Sequence, residues 1–272
     1  MLKLKAATTR RKISPRRRQV VLLNTIIDDL TLEDLLDCLG HGGVVFTTNV
    51  DHLMKLQVDQ EFCQVYASAD YRVCDSQILK YASYFLGTPI REKISGSDLF
   101  PAFCRHYAQD SSIRLFLLGA APGVAAEAGR RINQRAGRDF VVDTYSPPFG
   151  FEKDTIECER IVRLINQSGA TVLAVGLGAP KQEKWIQHYR EQLPVVRAFI
   201  AVGATLDFEA GNLSRAPRWV SEAGFEWLYR LLCEPQRLWR RYLGDALPFL
   251  WLMVQQKRGC YRQTDSAETD MS

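Results

Sequence analysis

Short apolar runs alternate with helix-spaced stretches from residue 19 to residue 211, and this rhythm limits the chain to few architectures. The runs are 20–23, 43–48, 71–74, 113–118, 140–142, 171–175 and 195–202. Between them, apolar residues recur at three- and four-residue intervals over 32–39, 52–68, 76–86, 97–107, 124–135, 154–167 and 180–191. Thr31 and Ser97 stand where helix caps belong, and Gly40 and Gly87 where helices stop. Buried strands separated by helices bury both faces of a sheet, so the pattern predicts an α/β fold: a mostly parallel sheet covered by helices.

Beyond residue 212 the strand pattern ceases and Trp and Arg accumulate at helical spacing, with breaks at Gly224, Pro235 and Pro248. Charge divides the chain at similar places. Residues 1–18 carry +8, residues 19–211 carry −6, residues 212–262 carry +5 and residues 263–272 carry −3. The reading is a basic tail (1–18), a catalytic α/β domain (19–211), a basic helical appendage (212–258) and a C-terminal tail (259–272). Two basic ends suggest an anionic partner, a membrane surface or a nucleic acid. The acidic middle and the lack of a recognition-helix or RNP pattern weigh against nucleic acid. Seven scattered cysteines without a CxxC fit a reducing compartment. No apolar stretch approaches a membrane span, and the N-terminus lacks the pattern of a signal peptide.

In an open parallel sheet, ligands bind beyond the carboxyl ends of the strands. Two glycine-rich loops fall there: one begins at Gly119, the other holds Gly176, Gly178, Gln182 and Glu183. Both open helices, whose free N–H groups suit a phosphate or diphosphate. Such turns also occur merely to let a strand and a helix pack. Thr47 and Asn49, Asp75, and Gly203 with Asp207 follow three further strands, and Gly150 and Phe151 close a turn-rich loop. A lone Asp at a strand end, such as Asp75, serves equally as a helix cap. The dinucleotide fingerprint, the Walker motif and the nucleophile elbow are absent, and no His pair has metal-ligand spacing. No Asp-x-Asp occurs, so no carboxylate pair of the usual kind would hold a metal on a diphosphate. Arginines and helix N-termini would have to neutralise it.

Seven segments carry a resemblance: TTNVDH (47–52), the Asp75 turn, SGSDL (95–99), FLLGA (116–120), VGLGAPKQEKWI (175–186), VGATLDFEAGNLSRAP (202–217) and GFEWLYRLLCEPQR (224–237). Over roughly residues 20–250 the sequence resembles the WecG/TagA/CpsF family of bacterial glycosyltransferases. The resemblance implies a Rossmann-like fold with a C-terminal appendage that completes the site at a membrane. It implies inverting transfer of N-acetylmannosamine, its uronic acid or glucose from a UDP-sugar to a lipid-diphosphate-linked saccharide, without cofactor or metal. The protein would then act in the cytoplasm, held at the inner face of the plasma membrane, and a homo-oligomer through the appendage is compatible with this.

By position, the resemblance makes Asp75 the base and Thr47 and Asn49 pocket residues. Gln182 and Asp207 fall at nucleotide-site positions, and Arg230, Arg237 and Arg240 near the diphosphate. The chain departs from the family pattern at Cys74 and Ser76, where Pro and Gly usually flank the Asp. It departs again at Lys93, commonly Arg, and at Phe151, frequently Tyr. Phe249 to Val254, followed by Lys257 and Arg258, has the composition of an interfacial element; packing on the chain's own domain explains it equally well. The competing reading is a soluble nucleotide enzyme such as an NAD-dependent oxidoreductase, which the missing fingerprint disfavours.

Overall fold

The computed structural model describes residues 17–213, 229 and 235–261, without the side chains of 235–243. The first pair of strands, β1 (Gln19–Leu22) and β2 (Thr25–Asp28), forms an antiparallel hairpin apart from the main sheet. Then follow α1 (Leu32–Gly40), β3 (Gly43–Thr48), α2 (Val50–Leu56), α3 (Gln60–Ala67), β4 (Tyr71–Cys74), α4 (Gln77–Leu86) and α5 (Gly96–His106). After these come β5 (Leu115–Gly119), α6 (Val124–Ala136), β6 (Val141–Tyr145), α7 (Thr155–Ser168), β7 (Val172–Gly176), α8 (Lys181–Tyr189), β8 (Ala198–Ala201) and α9 (Thr205–Ala210). The helix α10 (Pro235–Lys257) is last among the described residues.

The main sheet has the order β4-β3-β8-β7-β5-β6 among the described residues, every neighbouring pair parallel. This is the expected helix-covered α/β sheet. Side chains alternate between its faces as the pleat requires. In β5, Leu115 and Leu117 join Phe100, Phe103 and Ile200 on one face. Phe116 and Leu118 join Phe46, Phe62, Tyr66 and Trp185 on the other. After β5 the chain turns outward to β6, and after β7 it turns the opposite way to β8. The strand ends of β5 and β7 therefore form a switch point, where such sheets open a ligand crevice.

Three details differ from the sequence reading. Residues 52–68 form two helices, because Asp59 accepts a hydrogen bond from Phe62 N–H at 2.9 Å and starts α3 afresh. The cap of α5 is Ser95, which accepts from Asp98 N–H, two residues before Ser97. The run at 20–23 is one arm of a hairpin whose turn places Leu23 at φ 53°.

Helix α10 lies against α2 and α4, and its Phe249 and Met253 are 2 % and 3 % exposed within the core beneath one sheet face. Its Gln256 is bonded to the hairpin in both directions, accepting from Leu23 N–H and donating to Val21 O, each at 2.9 Å. The second half of the 212–258 segment is thus part of the domain's own packing. Its outer face leaves Leu247 75 % and Trp251 61 % exposed, with Leu250 also outward.

The glycines at the switch point are required by close packing. A Cβ on Gly119, which has φ +117°, would stand 2.4 Å from Gly176 O, and one on Gly176 would stand 2.8 Å from Gly203 O. The Gly119→Ala variant combines strained backbone with a backbone clash. It should lose about 2–5 kcal/mol of unfolding free energy in urea titration.

Candidate active site

The carboxyl ends of the parallel strands bring most of the candidate residues to one rim. Strand β3 ends in Thr47 and Thr48, and strand β4 delivers Asp75, whose N–H donates to Thr48 O at 2.8 Å. The two threonines diverge: Thr48 Oγ1 is 2.8 Å from Tyr66 OH inside the core, and Thr47 lies toward the start of α5. There a Cβ added to Gly96 would meet Thr47 Oγ1 and Thr205 Oγ1 at 3.6 Å each. Ile94 N–H donates to Cys74 O at 2.7 Å and sets the α5 start beside the end of β4. This start was legible only as the SGSDL segment, and Ser95, Gly96 and Ser97 did not figure among the candidates.

Asp75 is half-buried and is not the cap of α4. Ser76 is, accepting from Leu79 N–H at 3.3 Å. Asn49 Nδ2 donates to Asp75 Oδ2 at 3.4 Å. Asn49 itself caps α2: its Oδ1 accepts from His52 N–H at 3.2 Å, which fixes the amide with its NH₂ toward Asp75. The neighbouring thiol cannot compete as a nucleophile, because burial pushes Cys74 up to about 12 and keeps it protonated. Tyr66 is raised well above its ordinary value by complete burial, with the charges of Glu183 and Asp75 adding to the effect.

On the other side of the rim, β7 runs through Gly176 to Gly178 and a cis Ala179–Pro180 peptide into α8. Lys55 of α2 holds this loop, donating to Ala179 O at 3.0 Å and to Asp51 at 2.7 Å. Gln182 Oε1 accepts from Gly203 N–H at 3.1 Å, and Gln182 Nε2 donates to Glu183 Oε1 at 2.8 Å. Glu183 is fully buried and meets His52 Nε2 at 3.3 Å. His52 closes the TTNVDH segment but is not among the candidate site residues read from the sequence.

Gly178, Gly203 and Gly150 all have positive φ, and an added Cβ would meet nothing within 4 Å. They are the open stretches of the rim, in contrast to Gly119 and Gly176. Phe151 is buried in a short 3-10 turn, and exposed Phe149 lies beneath Lys181 Nζ at 4.9 Å from the ring centre. Asp207 is half-buried on α9. Arg230 lies outside the described residues, as do the side chains of Arg237 and Arg240, although α10 runs through both positions. Among the described residues no three His, Cys, Asp or Glu side chains gather as metal ligands.

A strand-end carboxylate that does not cap the helix after it, neutral hydrogen-bonding groups beside it, and open glycine turns next to a switch point together suit group transfer from a phosphate-bearing donor. Residues 20–263 match the model of the glycosyl transferase WecG/TagA/CpsF family. The chain belongs to this family. It is also 32 % identical over 204 residues to the N-acetylglucosaminyldiphosphoundecaprenol N-acetyl-beta-D-mannosaminyltransferase of Bacillus spizizenii, covering 75 % of this chain and 76 % of that relative. A WecG/TagA/CpsF glycosyltransferase is built on a Rossmann-like sheet here, with the strand-end rim as its candidate centre, and the family match sets aside the oxidoreductase reading. No helix among the described residues is long and apolar enough to cross a membrane.

Proposed function

We propose that this glycosyltransferase moves N-acetylmannosamine from a UDP-sugar to a saccharide carried on a lipid diphosphate, by single displacement with inversion. The relative's acceptor, an N-acetylglucosaminyl diphosphate of undecaprenol, supports the acceptor class, and its transferred sugar supports the donor. The observation that carries the mechanism is the placement of Asp75. It ends β4 with Ser76 doing the capping and with Asn49's amide aimed at its carboxylate. Asp75 takes the proton of the acceptor hydroxyl as that oxygen attacks the anomeric carbon, and one carboxylate is enough for single displacement. Thr47, Asn49 and Gln182 orient the sugar by neutral hydrogen bonds. The nucleotide lies over the open turns at Gly178, Gly203 and Gly150. Arg230, Arg237 and Arg240 stabilise the departing UDP through charge-assisted bonds, a role in which no metal is required.

A transfer assay across a panel of UDP-sugars on a polyprenyl-diphosphate-linked N-acetylglucosamine acceptor tests the reading, with UDP-N-acetylmannosamine expected to be the preferred donor. UDP at 100 times its Kd should stabilise the fold by about 2.7 kcal/mol in thermal denaturation, and NAD at the same concentration should leave it unchanged.

The outer face of α10 further supports docking on the inner surface of the plasma membrane. Leu247, Leu250 and Trp251 face outward, with Lys257 and Arg258 just beyond, which puts apolar groups toward lipid and cations toward headgroups. Closing the site only there would keep water from the donor when acceptor is absent. Vesicles carrying the acceptor lipid should therefore raise turnover far above that with the same acceptor short-chained and in solution; equal rates would refute the coupling.

A further inference from the structure

We propose that His52 and Glu183 form a buried positioning pair that sets the direction of the Asn49 amide and, through it, of Asp75. This rests on Asp75 being the base.

The contacts form one unbroken path across the strand ends. Asp75 accepts from Asn49 Nδ2 at 3.4 Å. Asn49 Oδ1 stands 2.8 Å from His52 Nδ1, His52 Nε2 stands 3.3 Å from Glu183 Oε1, and that same oxygen accepts from Gln182 Nε2 at 2.8 Å. Gln182 Oε1 accepts from Gly203 N–H at 3.1 Å. Asn49 Oδ1 can only accept, so the 2.8 Å contact requires a proton on Nδ1. Asn49 N–H also approaches Nδ1, but at 3.4 Å, and the shorter contact decides the tautomer. The ring is clamped at both ends and lies beside Phe62 and Tyr66, at 6.2 and 5.7 Å between ring centres.

Fold stability does not account for this arrangement. Glu183 is 0 % exposed, and its Oε2 finds no hydrogen-bond partner among the described residues. A buried ionisable pair with an oxygen left unsatisfied costs more in desolvation than an apolar pair of the same shape. Capping α2 does not require it either. A capping box uses Glu or Gln at the third helical position, where His52 stands, and needs no partner on α8. What the pair adds is a rigid tie between α8, which presents Gln182, and the β3 end, which presents Asn49. The group that orients the sugar and the group that orients the base are thereby held in one register, and misplacements on the scale of an ångström are costly to a reaction of this kind.

The test uses the full chain with UDP-N-acetylmannosamine and the lipid-diphosphate acceptor. In the double variant His52→Gln/Glu183→Gln, glutamine at 52 is itself a capping-box residue and no charge is left buried alone. We expect kcat to fall by about 10- to 100-fold, with the KM for the donor and the Kd for UDP each within about threefold of wild type, since both side chains are buried, 5 % and 0 % exposed. A kcat within about twofold of wild type, while Asp75→Asn is inactive, overturns the positioning pair and leaves the base in place. An active Asp75→Asn overturns the base itself. Should the double variant not fold, imidazole ¹⁵N spectra of the wild-type protein decide. A His52 ring proton exchanging slowly with water, on an Nδ1 of the protonated type, supports the pair; ring protons exchanging as in free histidine refute it.

Discussion

Asp75→Asn is expected to leave UDP binding unchanged and to lower turnover by about 10²–10⁴-fold, the range a positioned general base contributes. The substitution is nearly isosteric. It keeps the backbone bond from residue 75 N–H to Thr48 O and leaves the Ser76 cap of α4 untouched. What it removes is the capacity to accept a proton. Asn49 would then face an amide whose oxygen can still accept its hydrogen bond, so local structure is conserved while the chemistry is not. Calorimetry with UDP and a single-turnover transfer assay measure the two halves separately. Near wild-type transfer would move the base to another residue.

Arg237→Ala carries the second large effect. In the proposed mechanism charge develops on the departing UDP in the transition state, and removing one preorganised donor to such charge typically costs about 10²–10³ in kcat. Arg237 stands near the start of the described part of α10, with Arg240 three positions on. Lysine at 237 should recover only part of the loss, because an ammonium cannot make the paired, planar contacts of a guanidinium. Melting temperature should stay at the wild-type value in both variants, since among the described side chains of α10 those buried in the core are Phe249 and Met253, more than two helical turns further along. A loss confined to KM would instead make Arg237 a ground-state binding residue.

The α/β class was legible because each element of the main sheet announces itself locally. Within the run 113–118, residues 115–118 are apolar on both faces, as a helix-covered parallel strand must be, and Thr31 and Gly87 mark helix ends where the structure has them. The hairpin was not legible. Its turn puts Leu23 at φ 53°, and leucine is no signal for that conformation. The break between α2 and α3 was hidden because Leu53, Leu56, Phe62, Val65 and Tyr66 keep helical spacing across it. At the site, the sequence placed Thr47, Asn49, Asp75 and the glycine turns on strand ends, since a parallel sheet puts all such ends on one edge. It could not tell packing glycines from open ones, nor Asp75 from a cap. Those distinctions depend on what the neighbouring backbone and Ser76 do. His52 and Glu183 are 131 residues apart, and nothing local in either segment betrays the other.

Anchoring both flanks of the basic C-terminal stretch has a kinetic consequence. Chain enters it from Leu213, whose N–H is bonded to Asp207 O, and leaves it through a helix whose far end is clasped to the hairpin by Gln256. Arg237 and Arg240 are carried on α10 itself, so in the proposed mechanism they reach the donor's diphosphate without capture of a separate molecule. Cutting the chain once between residues 213 and 235 should therefore slow the reaction while α10 stays bound to the core through Phe249 and Met253.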